Sequence, residues 1–250
     1  MKKKVFECYN GELKIRGYIL FPQKMEAVNK TVIVSHGFAS TTEQLRKYAK
    51  DFAKAGCVVF YYDFCGSGRG KSDGDSTKMS VLTEKSDLIA VLDYVRSFDF
   101  VDKENVILAG CSQGGFVSAL VAAERESDVS KLVLFYPALC IPDDARRGSI
   151  LGTTFNPEKI PETFKAIFIK LGGVYIRDAA SLEPYKEICT YKKPVIIIHG
   201  DNDKIVNVSY AVTANEKYPD SKLVVIKKGD HGFIFHGYKQ AMKEAVEFIK

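Results

Sequence analysis

No stretch of this chain stays apolar for the roughly 18 to 20 residues that a membrane-spanning helix requires. Its longest apolar runs are strand-like, such as residues 195–198. The three lysines after Met1 are followed by Val-Phe-Glu-Cys-Tyr-Asn-Gly-Glu, which lacks the apolar segment of a secretory signal, so a cytoplasmic protein without a membrane span is expected. The six cysteines (Cys8, Cys57, Cys65, Cys111, Cys140, Cys189) form no C-x-x-C pair and have no zinc-like spacing with histidine. They read as small buried apolar side chains in a reducing compartment, and no metal or other cofactor is expected. Charge of one sign is scarce as well: 36 basic and 31 acidic residues are interspersed, leaving a net +5 with no basic stripe. That argues against a nucleic-acid partner and permits at most a mild preference for anionic substrates. Neither an internal repeat nor a low-complexity tract is present. The oligomeric state is left open, a homodimer included.

What the chain does have is a core and an alternation. At 250 residues and 46% hydrophobic it can bury one large core, though length alone permits one domain or two. Residues 4–9 and 14–21 read as strands joined by an Asn10-Gly11 hairpin turn. Parallel strands are expected at 31–35, 57–63, 106–110, 132–136, 195–199 and 222–226, separated by amphipathic helical patterns. Ser40-Thr41-Thr42-Glu43 has capping-box spacing ahead of a helix whose Leu45, Ala49, Phe52 and Ala53 share one face, and Gly56 ends it. Leu82, Ile89, Leu92 and Val95 mark the next helix, residues 114–126 another, and Tyr238, Met242, Ala245 and Ile249 the inner face of the last. The class is α/β, a mainly parallel sheet with helices on both faces. Between residues 140 and 190 the alternation breaks into prolines, a Gly172-Gly173 pair and scattered aromatics, too long for a simple connection. It reads as a small inserted lid, with the core formed by 1–139 and 191–250.

Gly110-Cys111-Ser112-Gln113-Gly114 matches G-x-S-x-G, a pattern that 19 glycines and 16 serines would produce by chance about 0.1 times in such a chain. Its place between an apolar strand and an Ala-rich helix is that of a nucleophile elbow, where a tight turn pushes the serine Oγ out of the sheet beside a helix N-terminus. Centring the motif on Cys111 instead would require glycines where Ala109 and Gln113 stand. A serine hydroxyl needs a base, and the chain has only four histidines. His36 and His199 each end a strand, His231 lies in the loop after the last strand, where such a base is expected, and His236, five residues later, opens the final helix and reads as a surface or helix-end residue. An orienting carboxylate can come from Asp201 or Asp203 in His199-Gly200-Asp201-Asn202-Asp203. The order Ser, Asp, His differs from the chymotrypsin and subtilisin orders.

With these residues in place the chain resembles the α/β-hydrolases and, within them, is similar to the small bacterial cinnamoyl and feruloyl esterases over nearly its whole length. The likeness rests on His36-Gly37-Phe38, the Gly-Cys-Ser-Gln-Gly-Gly elbow, Leu171-Gly172-Gly173-Val174-Tyr175, His199-Gly200-x-x-Asp203-x-x-Val206 and Gly229-Asp230-His231-Gly232-Phe233. It implies an eight-stranded sheet and a catalytic triad of Ser112, Asp203 and His231, selecting Asp203 over Asp201 and His231 over His236. It also implies an oxyanion hole of the Phe38 and Gln113 backbone N–H groups, and Asp144 and Tyr175 in the lid as contacts for a phenolic substrate. Two features depart from the pattern. The loop after Asp63 is about two residues longer across Gly66 to Ser72, and Leu151 stands where some resembling esterases have a polar side chain. Gly70-Lys71-Ser72 imitates a phosphate-binding loop, but Cys65 replaces its first glycine and no helix begins at Ser72. The expected activity is hydrolysis of a small-molecule carboxylic ester through an acyl-enzyme, with hydroxycinnamates as acyl groups. A lipase-like monoacylglycerol or lysophospholipid hydrolase, an acyl-peptide hydrolase and a non-catalytic binding protein on the same scaffold are the rivals.

Overall fold

The hairpin implied by Asn10-Gly11 forms, with β1 (Lys3–Asn10) pairing antiparallel with β2 (Leu13–Leu20) and Gly11 in the left-handed region at φ 57°. The computed structural model describes residues 1–250. Six further strands, β3 (Asn29–Ser35), β4 (Val58–Tyr62), β5 (Val101–Cys111), β6 (Lys131–Phe135), β7 (Val195–Gly200) and β8 (Ser221–Ile226), complete an eight-stranded sheet in the order β1-β2-β4-β3-β5-β6-β7-β8. From β4 onward every neighbouring pair is parallel. β3 is flanked by the later strand β4 on one side and by β5 on the other, so the chain changes direction of travel across the sheet there. Crevices open at the carboxyl ends of strands at such a switch point.

Apart from the single turn Pro184–Glu187, the α-helices are α1 (Thr42–Lys54), α2 (Val81–Arg96), α3 (Gln113–Glu124), α4 (Ile141–Arg146), α5 (Gly173–Ser181), α6 (Ser209–Lys217) and α7 (Tyr238–Ile249). α1 and α7 bury Leu45, Phe52, Ala53, Met242, Ala245 and Ile249 against one face of the sheet. α2, α3 and α6 cover the other face, and α4 and α5 join that second core through Ile141, Ala145, Tyr175 and Ile176. The segment between β6 and β7 also carries two short antiparallel pairs, Ser149–Ile150 with Thr153–Thr154 and Thr163–Ala166 with Ile169–Gly172. No helix is long and apolar enough to cross a membrane.

Three local expectations shift. The capping box sits one residue later than the Ser40–Glu43 spacing implies: Thr41 caps α1, and Gln44 reaches back to the Thr41 N–H at 3.0 Å. The inner face of α2 is Val81, Leu88, Val91, Leu92 and Val95, leaving Leu82 and Ile89 half-buried, because Ser80 caps the helix and sets a phase that turns Glu84 and Asp87 inward as well. His236 lies in the turn before α7 rather than on the helix, held by its backbone N–H donating to Asp230 at 3.1 Å.

Candidate active site

Ser112 occupies the turn between β5 and α3 with φ 53° and ψ −121°, a conformation that costs a non-glycine residue on the order of 1 to 3 kcal/mol and therefore requires support from its surroundings. Its N–H donates to Phe135 O at 3.0 Å, and its own carbonyl accepts from Gly115, Phe116 and Ala138. The flanking glycines are a steric necessity: a Cβ at Gly114 would lie 2.2 Å from His36 O, and one at Gly110 2.2 Å from Gly114 O. The elbow is thereby wedged against the turn that follows β3, whose Gly37 also stands close to the Ser112 side chain.

Opposite the serine, the loop after β8 presents His231. Its Nε2 lies 3.1 Å from Ser112 Oγ and its Nδ1 2.7 Å from Asp203 Oδ2. Asp203 follows β7, and its side chain is wholly buried. Burial opposes its ionisation, but His199 and His231 donate to it, and the N–H groups of Ile205 and Val206 donate to Oδ1 at 2.8 and 2.9 Å. The hydrogen bonds prevail and hold the carboxyl well below the usual carboxylate range. His199 Nε2 faces two acceptors, Asp203 Oδ2 at 3.2 Å and Val206 O at 3.0 Å, so it carries the proton. Asp230 anchors the same loop by accepting the N–H groups of Ile234, Phe235 and His236.

The residues that competed for these positions are placed elsewhere. Asp201 is exposed and accepts the Lys228 N–H at 2.6 Å. His236 is exposed. Cys111 is buried, and burial pushes its thiol up to about 12, so it remains protonated. His36 is also buried and held below its usual value, because burial disfavours its charged form. It donates from Nδ1 to Gly37 O at 2.8 Å and accepts the Phe64 N–H on Nε2 at 3.1 Å, which fixes the turn bearing Phe38. Gln113 heads α3, so its N–H lies outside the helical ladder, and the Phe38 N–H likewise takes no backbone acceptor.

A cavity of about 620 Å³ opens beside Ser112 and His231, walled by Phe38, Lys47, Tyr48, Tyr136 and Ile234. The Tyr48 and Tyr136 hydroxyls meet at 2.9 Å, and the Tyr136 ring stands edge-on to His231. Asp144 and Tyr175, expected to face a phenol, do not line this cavity. The Asp144 carboxylate accepts from the Arg147 guanidinium. Tyr175 is completely buried, and its hydroxyl donates to the Gln113 side-chain carbonyl. The longer loop after Asp63 folds back on that residue: the Thr42 and Lys71 N–H groups donate to its carboxylate at 2.7 and 2.9 Å. Gly68 of the same loop packs on Ile169 of the inserted segment. No grouping of three or more His, Cys, Asp or Glu is placed to hold a metal ion.

Sequence reasoning missed the bond from His199 to Asp203, although the histidine stood four residues before the acid. It also missed Glu84, fully buried beneath the elbow, because a lone glutamate in the first turn of an amphipathic helix is ordinarily a solvent-facing residue.

Residues 26–172 match the family described as "Serine aminopeptidase, S33". The chain belongs to this family. Among solved structures it is similar to Est1E from Butyrivibrio proteoclasticus with ferulic acid bound, at 30% identity and a TM-score of 0.89, covering 98% of this chain and 96% of that one. Among curated proteins it is 28% identical to the α/β-hydrolase domain-containing protein aho-3 of Caenorhabditis elegans over 76% of this chain, which spans 48% of that protein's length. It is 23% identical to the uncharacterized peptidase YtmA of Bacillus subtilis, over 84% of this chain and 77% of the relative. The chain is thus a serine hydrolase of esterase type with the α/β-hydrolase fold, similar to bacterial feruloyl esterases.

Proposed function

We propose that this hydrolase cleaves carboxylic esters through an acyl-enzyme formed on Ser112. The observation that carries the reading is the continuous line from Asp203 Oδ2 to His231 Nδ1 and from His231 Nε2 to Ser112 Oγ, at 2.7 and 3.1 Å. His231 takes the serine proton as Oγ attacks the ester carbonyl, and the oxyanion is received by the Phe38 and Gln113 N–H groups, each such donor being worth about 3 kcal/mol in the transition state. His231 then protonates the departing alcohol. Water activated by the same imidazole releases the acid, while Asp203 holds the tautomer with its proton on Nδ1 and stabilises the imidazolium.

The acyl group we assign is a hydroxycinnamate, on the strength of the likeness to Est1E with ferulic acid bound. Residues 140–190 serve as the cap over a core of 1–139 and 191–250. The test is a panel at constant enzyme: kcat/KM for methyl ferulate and methyl p-coumarate should exceed that for methyl cinnamate and methyl decanoate. A preference for the decanoate would reject the hydroxycinnamate assignment. Burst kinetics with p-nitrophenyl acetate test the acyl-enzyme independently. The family's description and the YtmA peptidase favour amide cleavage as a second reading. Turnover of amino-acid p-nitroanilides faster than of the matching esters would establish it.

A further inference from the structure

Gln113 is the residue after the nucleophile, and on the reading above its backbone N–H meets the oxyanion. Its side chain points away from the cavity and is fully buried. Burial of a primary amide demands partners for both its ends. The Nε2 group donates to Glu84 Oε2 at 2.7 Å, and Oε1 accepts from the Tyr175 hydroxyl. Glu84 and Tyr175 are themselves buried, at 1% and 0% exposure. The three residues come from three elements: the first turn of α2, the first residue of α3, and α5 from the inserted segment. A second bond joins the start of α2 to the middle of α5, Ser80 Oγ donating to Asp178 Oδ2 at 2.6 Å. Neither Glu84 nor Tyr175 lines the cavity.

A carboxyl group is an expensive thing to bury, and an apolar side chain of the same size would fill the space without its desolvation. What Glu84 supplies that leucine would not is a fixed acceptor for the Gln113 amide. Rotating or tilting the Gln113 peptide would move its N–H relative to the oxyanion, and the stabilisation by such a donor depends on a position set before the reaction begins.

We propose that Glu84 and Tyr175 are positioning residues for the oxyanion hole: clamping the Gln113 side chain from both ends, they set the direction of its backbone N–H and tie it to the cap helix α5. The proposal rests on the acyl-enzyme reading above. Because the oxyanion exists only after attack, the clamp acts on kcat and leaves substrate binding alone.

The experiment compares Glu84→Gln, Glu84→Leu and Tyr175→Phe with the parent, using p-nitrophenyl acetate, whose acyl group has no phenol to contact Tyr175. A glutamine can accept the Gln113 N–H through its own carbonyl, so Glu84→Gln should keep kcat within about threefold. Glu84→Leu should lose about ten- to a hundredfold in kcat, less than the 10²- to 10³-fold cost of deleting a donor outright, with KM within about twofold. Tyr175→Phe should lose less, with the same sign and the same split, and it provides the answer if Glu84→Leu does not fold. Combining Glu84→Leu with Gln113→Leu should cost no more than the larger single loss, because both act through one bond. Equal losses for Glu84→Gln and Glu84→Leu, losses that appear in KM, or an unchanged kcat in the folded variants would overturn the proposal. Ser112→Ala is run alongside: if it stays active, the acyl-enzyme reading fails first, whereas an inactive Ser112→Ala with a fully active Glu84→Leu removes only the clamp.

Discussion

Two buried carboxyl groups stand on either side of the Ser112 turn, and the protein treats them in opposite ways. Asp203, beyond the end of β7, receives two backbone N–H groups and two imidazoles and is held ionised, well below the usual carboxylate range. Glu84, on α2, is pushed by burial up to about 8: a single bond from the Gln113 amide pulls the other way, and the nearby Asp87 carboxyl adds to the rise. Both are out of water, so burial alone does not distinguish them. The number of donors each one faces does. A carboxylate with four donors serves as a fixed negative charge for His231, and a carboxyl with one is a neutral strut.

The most severe way to break that comparison is at the reaction centre. Ser112→Ala and His231→Ala are each expected to lower kcat for p-nitrophenyl acetate on the order of a millionfold, with an unchanged circular dichroism spectrum. Next comes the ionised side. Asp203→Asn should cost about 10⁴ in kcat, since an amide cannot hold the correct imidazole tautomer. Asp201→Asn, two residues away and bonded to the Lys228 N–H, should retain most of the activity. Should the Asp201 variant prove the more damaging, the orienting acid has been misassigned.

The neutral side is sharpened through stability against pH. Folded Glu84 keeps its proton up to about 8, whereas in the unfolded chain it loses it near about 4.3. The folded state therefore binds more protons than the unfolded one between those values, and this group's contribution to stability declines as pH rises through that window. Asp203 has the reverse sign: its contribution is present above the ordinary carboxylate value of about 3.9 and is lost on acidification. Glu84→Gln removes the first slope and leaves the second. Its Tm relative to the parent should accordingly increase from about pH 5 to about pH 8, and a constant difference would mean that Glu84 does not hold its proton. Of the other titratable groups near Glu84, Asp87 is itself raised by burial and is common to parent and variant, while Tyr62 and Tyr175 stay protonated throughout, because burial raises both. The smallest effect is expected at Tyr48→Phe, which leaves the buried Tyr136 hydroxyl without its 2.9 Å partner and should lower stability to urea by about 1 kcal/mol.

The ionised side was largely readable in advance and the neutral side was not. Ser112, Asp203 and His231 lie in loops at strand ends, near glycines that close backbone approaches demand, and such punctuation survives in one dimension. The hairpin at Asn10-Gly11 and the alternation of strand and helix are legible for the same reason, since each follows from local turn chemistry and periodicity. The capping box of α1 was misread by one position, because Ser and Thr cluster at that helix start and only the packed structure chooses which of them caps; on α2, Leu92 and Val95 face inward as read, while Val81 and Leu88 take the places read for Leu82 and Ile89.

By itself, then, the sequence determined the α/β alternation, the elbow and the candidate reacting groups, all of which depend on contacts between residues near one another in the chain or on backbone turns that few residue types allow. Only the tertiary structure decided that His199 shares Asp203 with His231, that Tyr175 donates to Gln113 instead of lining the cavity, and that Glu84 is buried, with its carboxyl pushed up by that burial. The physical reason is one of distance and solvent. Tyr175 and Gln113 are 62 residues apart, Glu84 and Gln113 are 29 apart, and whether a carboxyl is charged depends on how many donors the folded chain brings to it once water has been removed.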